Sequence, residues 1–326
     1  MASAQEEQRT AVIFPGISPC RFADVGRFLV INPVARRLTT VADETLGYSL
    51  VDQFREATGD YTEYERVAFL VVCLSLAFWA QENMELTADV CAGPSFGGGP
   101  AAVYSGALDL PEAITMTARW GHYLDDYFAT SHSDVVTQSF ARVPETVLAE
   151  IMAELDAAGE WHDVACRVDV DFHMVSVREH MLEWLHTRLR SAGGLPLYTM
   201  RPPMHSRAFA SLRATIEAEL FPGLHFRDPR IPVISDHDGK ELTTGDEIRA
   251  LLLDGVVTMV DWPAAVAALR DKGVRKAYVS GPDGLWGRVA CARTSFEVMP
   301  LTPGLALRPR ATARPAWSRS AVERVR

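Results

Sequence analysis

Basic residues are in short supply: the 326-residue chain carries 32 Lys and Arg against 42 Asp and Glu, a formal net charge of −10. Phosphate contact needs clustered cations, so a general nucleic-acid binder is excluded, and nothing in the balance draws the chain to anionic lipid. Cysteine is scarce too. Cys20, Cys73, Cys91, Cys166 and Cys291 are odd in number, scattered and never spaced as CxxC. That excludes a disulfide framework and a zinc knuckle, and it points to a reduced, cytoplasmic setting. The opening lacks the pattern of a secretory signal, because Met1–Thr10 holds two glutamates and one arginine ahead of any apolar run. Long hydrophobic runs are missing as well. The most apolar stretch, Val67–Ala80, has 14 residues, short of the roughly 20 that cross a bilayer, and reads as a buried helix. The sequence contains no internal repeat.

What is present suits a packed core: apolar residues make up 48% and charged residues 23%, with a mean hydropathy of +0.01. The length suits one large domain or two coupled ones. Ala11–Phe14 reads as a short buried strand closed by Pro15-Gly16, helical patterns follow over about 22–47 and 64–85, and Ala88–Ala92 reads as a second core strand. Arg230–Ile234 and Lys276–Ser280 are further expected strands, with helices near 245–254 and 263–272 between them. The middle of the chain has another rhythm: strand 135–142, helix 144–158, strands 161–168 and 171–177, helix 179–192 and strand 195–200. That order is the split βαβ pattern of a ferredoxin-like unit. The expected fold is therefore α/β. An α/β-hydrolase-like core with a parallel sheet covers 1–133 and 202–302, a ferredoxin-like small lobe is inserted at 134–201, and a basic, disordered tail covers 303–326. A small lobe set on a larger one makes a cleft, where ligands commonly sit.

One motif in that frame carries chemistry. Gly93-Pro94-Ser95-Phe96-Gly97 is a G-x-S-x-G sequence with an expected strand before it and a small-residue helix start after it. That context is what a nucleophile elbow requires: a sharp turn exposes the serine hydroxyl and aims the next backbone N–H, that of Phe96, at a developing oxyanion. A serine hydroxyl needs a base. Of nine histidines, His205 in Met200-Arg201-Pro202-Pro203-Met204-His205-Ser206 is the candidate, since two prolines fix the loop that would hold it at the cleft. His122, His180 and His186 fall in helical stretches, His132 and His162 near the lobe edges, and His173 on a strand. His225 and His237 lie in turn-rich segments, and Asp236-His237-Asp238-Gly239 reads as a tight hairpin rather than a calcium loop. No metal site is expected.

These residues, in this order, resemble the malonyl-CoA:acyl-carrier-protein transacylase family and the acyltransferase domains of polyketide synthases, over about residues 11–300. Phe14-Pro15-Gly16 is similar to that family's F-P-G-Q-G loop and Gly93–Gly97 to its G-H-S-x-G. Gly106-Ala107-Leu108-Asp109 with Ala113 and Gly121 is similar to its next helical block, and Gly281-Pro282-Asp283-Gly284 to its late G-P-G turn. The resemblance implies ping-pong acyl transfer in polyketide or related secondary-metabolite (antibiotic) biosynthesis by a discrete, trans-acting enzyme. Ser95 would be acylated by a thioester, His205 would take its proton, and the backbone N–H groups of Phe96 and Ile17 would hold the oxyanion. An acyl carrier protein would then collect the acyl group on its phosphopantetheine thiol. It also implies a histidine oriented by a main-chain carbonyl, phosphopantetheine thioesters (CoA or carrier protein) as substrates, and no permanently bound cofactor.

The departures carry information. Ile17 replaces the family's glutamine and Pro94 its histidine. In an ungapped count from Asp109 and Gly121, the arginine that grips a malonyl carboxylate is replaced by Trp120, with Arg119 one residue earlier and about 100° around a helix. An indole cannot make the bidentate pair. The expected acyl pocket, with Trp120, Arg119 and Met204, therefore takes an uncharged, non-malonyl acyl or aminoacyl group, unless a one-residue gap returns Arg119 to the clamp position. Arg178, Arg188, Arg190, Arg201 and Arg207 are the candidate contacts for an acidic carrier protein. The alternatives are a thioesterase that edits acyl-carrier proteins, an ordinary malonyl-CoA:acyl-carrier-protein transacylase, and a non-enzymatic docking scaffold. A patatin-like lipase fits poorly, because the Asp-Gly pairs continue with Lys240, Val256 and Leu285.

Overall fold

A computed structural model of the chain describes residues 9–308. β1 (Arg9–Ile13) enters the centre of a sheet with its last three residues buried, as a strand covered on both faces requires. The single helix expected over 22–47 is two: α1 (Phe22–Ile31) and α2 (Pro33–Leu46). The break is local. Asn32 caps α2, its Oδ1 accepting from the N–H groups of Val34 (3.0 Å) and Ala35 (3.2 Å), and Pro33 at the first helical position cannot continue α1. Gly47 closes α2 in the left-handed region (φ 77°). After α3 (Leu50–Glu56) comes α4 (Glu63–Met84), capped by Thr62 and buried on nearly every side. It is the one helix among the described residues long and apolar enough to cross a membrane by length and composition, and 67% of that window is buried inside the molecule. It is the spine of the larger core.

β2 (Val90–Ala92), α5 (Gly98–Ser105) and α6 (Leu110–Thr130) follow. The smaller lobe is β3 (Val135–Ala141), α7 (Glu145–Ala158), β4 (His162–Asp169), β5 (Phe172–Arg178), α8 (Leu182–Ser191) and β6 (Leu195–Met200). Its strands run antiparallel in the order β6-β3-β5-β4, the split βαβ arrangement that the strand–helix rhythm predicts. The chain returns through α9 (Ala210–Glu219), β7 (Val233–Ile234), β8 (Glu241–Leu242), α10 (Gly245–Asp254), β9 (Val260–Asp261), α11 (Trp262–Asp271) and β10 (Val274–Ser280). It finishes with α12 (Leu285–Arg288), α13 (Ala290–Ser295), β11 (Glu297–Leu301) and α14 (Pro303–Ala306).

The larger sheet has the order β11-β10-β1-β2-β7-β8, parallel except for the β7–β8 hairpin at one edge. The mixed α/β class with two sheets agrees with the reading from sequence. Three details differ. The strand expected at 230–234 shrinks to Val233–Ile234. β9 belongs by sequence to the larger part of the chain yet pairs parallel with β4, extending the smaller sheet to five strands. The expected disordered tail begins with order, since Thr302 caps the turn of α14; its remainder from 309 lies outside the described residues.

Candidate active site

β2 ends at Ala92, and the chain turns through Gly93-Pro94 into one tight helical turn, Ser95–Gly97, that runs on into α5. Ser95 has φ 54°, a left-handed conformation that costs a non-glycine residue roughly 1–3 kcal/mol. The flanking glycines make the turn sterically feasible. A Cβ on Gly93 would stand 2.0 Å from the Gly97 carbonyl oxygen, and one on Gly97 would stand 2.1 Å from that of Phe14. A buried carboxylate holds the turn from below: the Ser95 N–H donates to Asp236 Oδ2 at 2.6 Å, and Asp236 is only 3% exposed. Burial raises the pKa of that carboxyl, against the opposing pull of His237 and of the Ser95 amide.

His205 comes from the loop after β6 and also has a positive φ, 64°. Its Nε2 lies 2.8 Å from Ser95 Oγ, within the reach that proton transfer needs. Ser206 pins the loop, donating its N–H to the Val256 carbonyl (3.3 Å) and its hydroxyl to Asp163 Oδ2 (2.7 Å). Burial, helped by the charge of His237, pushes the His205 pKa down to about 4; the backbone carbonyls of Thr258 and Gly255 work the other way. Among the described residues Nδ1 makes no hydrogen bond of ordinary geometry, and no acidic side chain supports it.

Ser95 and His205 open into a cavity of about 140 Å³, several times the ~30 Å³ share of one water molecule. Ile17, Phe96, Trp120 and Met204, all picked out from sequence, line it as well. Arg119 does not, and this corrects its placement in the acyl pocket. It is exposed and donates instead to the Tyr123 hydroxyl (3.0 Å) and the Glu219 carbonyl (3.4 Å). It sits one residue around α6 from Trp120, whose ring packs beside Phe221 at 6.1 Å between centroids.

The five candidate carrier-contact arginines do not form a free basic patch. Arg178 pairs with Asp134 (2.5 Å), Arg188 with Glu154 (2.8 Å) and Arg201 with Glu179 (2.6 Å), because acids from neighbouring elements lie beside them. Among the described residues only Arg190 and Arg207 of the five stand exposed without an ion pair. The other histidines have partners elsewhere, His173 on the Val143 carbonyl and His186 on Gln138, for example. His237 alone of them reaches the cavity. No group of His, Cys, Asp and Glu among the described residues could hold a metal ion.

Sequence reasoning missed Asp236, His237, Tyr61 and Arg66, all of which line the cavity. The hairpin read from Asp236–Gly239 is there, with Val233 paired to Leu242. Its first aspartate, however, reaches a serine 141 positions away, and no local pattern announces that. Arg66 stands immediately before the apolar run of α4, where a charged residue passes for an ordinary helix start.

The fold and this cleft are similar to those of known acyltransferases. Residues 139–200 match the family model described as the VinK acyltransferase small domain. Along 93% of its length the chain is 24% identical to the malonyl CoA-acyl carrier protein transacylase of Escherichia coli K12, covering 97% of that protein. It is 27% identical over 75% of its length to the polyketide biosynthesis malonyl CoA-acyl carrier protein transacylase BaeC of Bacillus velezensis, covering 84% of it. Among solved structures it superposes with a TM-score of 0.79 on the malonyl-transacylase in a complex with a type II polyketide synthase acyl-carrier protein, at 19% identity, covering 92% of this chain and 97% of that one. The resemblance read from the motifs thus holds for nearly the whole chain, which is similar to malonyl-CoA:acyl-carrier-protein transacylases and shares the fold of polyketide-synthase acyltransferases.

Proposed function

We propose that the chain is a discrete acyltransferase of polyketide or related biosynthesis. It moves a non-malonyl acyl or aminoacyl group between phosphopantetheine thioesters, with an acyl carrier protein as acceptor and CoA or a second carrier protein as donor. The Ser95 hydroxyl attacks the thioester carbonyl while His205 Nε2 takes its proton. The C–S bond breaks, the proton passes to the leaving thiolate, and an acyl-Ser95 ester remains. The carrier thiol reverses the sequence, giving its proton to His205, so that acyl transfer consumes and releases one thiol each. The backbone N–H groups of Phe96 and Ile17, two residues that line the cavity, are the proposed oxyanion donors; losing one such donor typically costs on the order of 10²–10³ in rate.

The observation that carries the acyl preference is Trp120. The indole stands in the cavity at the place where the resemblance puts the carboxylate-gripping arginine, and Arg119 is engaged outside. A malonyl carboxylate held against an indole would be buried without its bidentate partner, at a cost of several kcal/mol. The test is acylation of Ser95 followed by intact mass with malonyl-CoA and with neutral acyl-CoA donors. Neutral donors are expected to label wild type and not Ser95→Ala; rapid, preferred malonylation would end the reading.

A further inference from the structure

We propose that Arg66 is a specificity-determining residue of this cavity, and that it takes the carboxylate of an acyl group longer than malonyl. The inference rests on the acyl-Ser95 reading above and refines it: non-malonyl need not mean uncharged.

Arg66 lies in the first turn of α4, only 6% exposed, and lines the same cavity as Ser95. Among the described residues its guanidinium makes no hydrogen bond and no ion pair. The charges that act on it are poorly placed to neutralise it. Asp125 is exposed to solvent. Glu65 is buried, but its oxygens already accept the backbone N–H groups of Cys20 (2.5 Å) and Tyr61, and burial raises its pKa. Burial likewise lowers the pKa of Arg66. A buried cation without a partner is costly unless something completes it, and guanidinium presents a planar fork shaped for a carboxylate.

The position of that fork suits a long acyl group. A Cβ at Gly121 would lie 2.1 Å from Arg66 Nη1, so the guanidinium passes over the one residue of α6 that leaves room for it. Met116, on the same helix, is the residue beside the elbow, its Cε 3.9 Å from a Cβ placed on Gly99. Gly121 lies five helical steps after Met116 in the sequence, about 7.5 Å along the axis. Between them in the sequence lies Trp120, at the position where the resemblance puts the malonyl clamp, so the charge in this cavity comes from α4 rather than α6.

The experiment is acylation of Ser95 by CoA donors matched in length: glutaryl against valeryl, with malonyl as a third. Wild type is expected to take glutaryl faster than valeryl by roughly tenfold or more, the scale of one charge-assisted hydrogen-bonded pair. Arg66→Met should abolish that preference, Arg66→Lys should retain part of it, and Gly121→Ala, which displaces the guanidinium without removing it, should weaken it. Arg119→Met serves as the control and should leave the ratio where it was. Thermal melting shows whether the variants fold, and Arg66→Met should melt no lower than wild type, because it removes an uncompensated charge. Equal rates for glutaryl and valeryl in wild type, or a ratio unmoved in Arg66→Met, would overturn the assignment. A lower melting temperature with an unmoved ratio would overturn it too, showing a structural cation. Preferred malonylation overturns the non-malonyl reading instead, and the glutaryl-to-valeryl ratio still decides Arg66 by itself.

Discussion

His205 is placed where protonation is costly, and that has two measurable effects. With the folded-state pKa near 4 and the unfolded value near 6.5, the unfolded chain binds more protons between those limits. The stability that His205 contributes is therefore complete above about pH 6.5 and lost as pH falls toward 4, by roughly 2–3 kcal/mol. Asp236, with its raised pKa, works in the opposite direction, so the informative measurement is the difference between wild type and His205→Gln in urea melts at pH 7 and pH 4.5. Wild type is expected to lose more. In turnover the same displacement keeps the ring neutral, and Ser95 acylation should stay flat from pH 8 down to about 5. Beneath the elbow, Asp236→Ala removes the acceptor of the Ser95 N–H at 2.6 Å and leaves a part-buried donor unpaired, worth about 1 kcal/mol. We expect a fall of roughly tenfold or more in kcat, seen in burst kinetics, with the chain still folded. The pair Ser95 and His205 was legible because each carries a local signature, one a glycine-flanked turn after an apolar strand, the other a proline-fixed loop. Asp236 and Arg66 were not. Their importance comes from what the fold brings to them, and both sit in patterns that have ordinary explanations.

At the scale of elements, the long and periodic segments were readable and the short ones were not. Strands of two residues such as β7, β8 and β9 are too brief for any alternation to register. β11 carries Pro300 inside it, tolerated because β11 is the edge of its sheet and pairs only with β10; a proline in sequence argues against a strand. The break between α1 and α2 could have been found from Asn32-Pro33, a cap followed by the residue best suited to open a helix. That cap gives a prediction of its own. Asn32 is 4% exposed and serves two backbone N–H groups, so Asn32→Ala should cost about 1–2 kcal/mol in chemical denaturation with little change in acylation rate, since α2 does not line the cavity.

The two lobes are joined by more than the chain connections. β9 pairs with β4, Cys166 opposite Val260, and Asp169 at the end of β4 accepts the backbone N–H groups of Ala290 (2.5 Å) and Cys291 (3.3 Å) at the start of α13. The molecule should accordingly unfold in one transition, with circular dichroism and tryptophan fluorescence following the same curve. Asp169→Ala, which takes the acceptor from two part-buried donors, should lower stability by about 1 kcal/mol or separate the two curves. The walls of the cleft have different origins: the turn after β2 and the loop after β6 supply Ser95 and His205, whereas α4 and α6 supply Arg66, Met116, Trp120 and Leu124. In the proposed reaction selectivity is thus physically detachable from reactivity. Exchanging a few side chains on two helix faces would let one unchanged engine be refitted, in evolution or at the bench, for a different cargo.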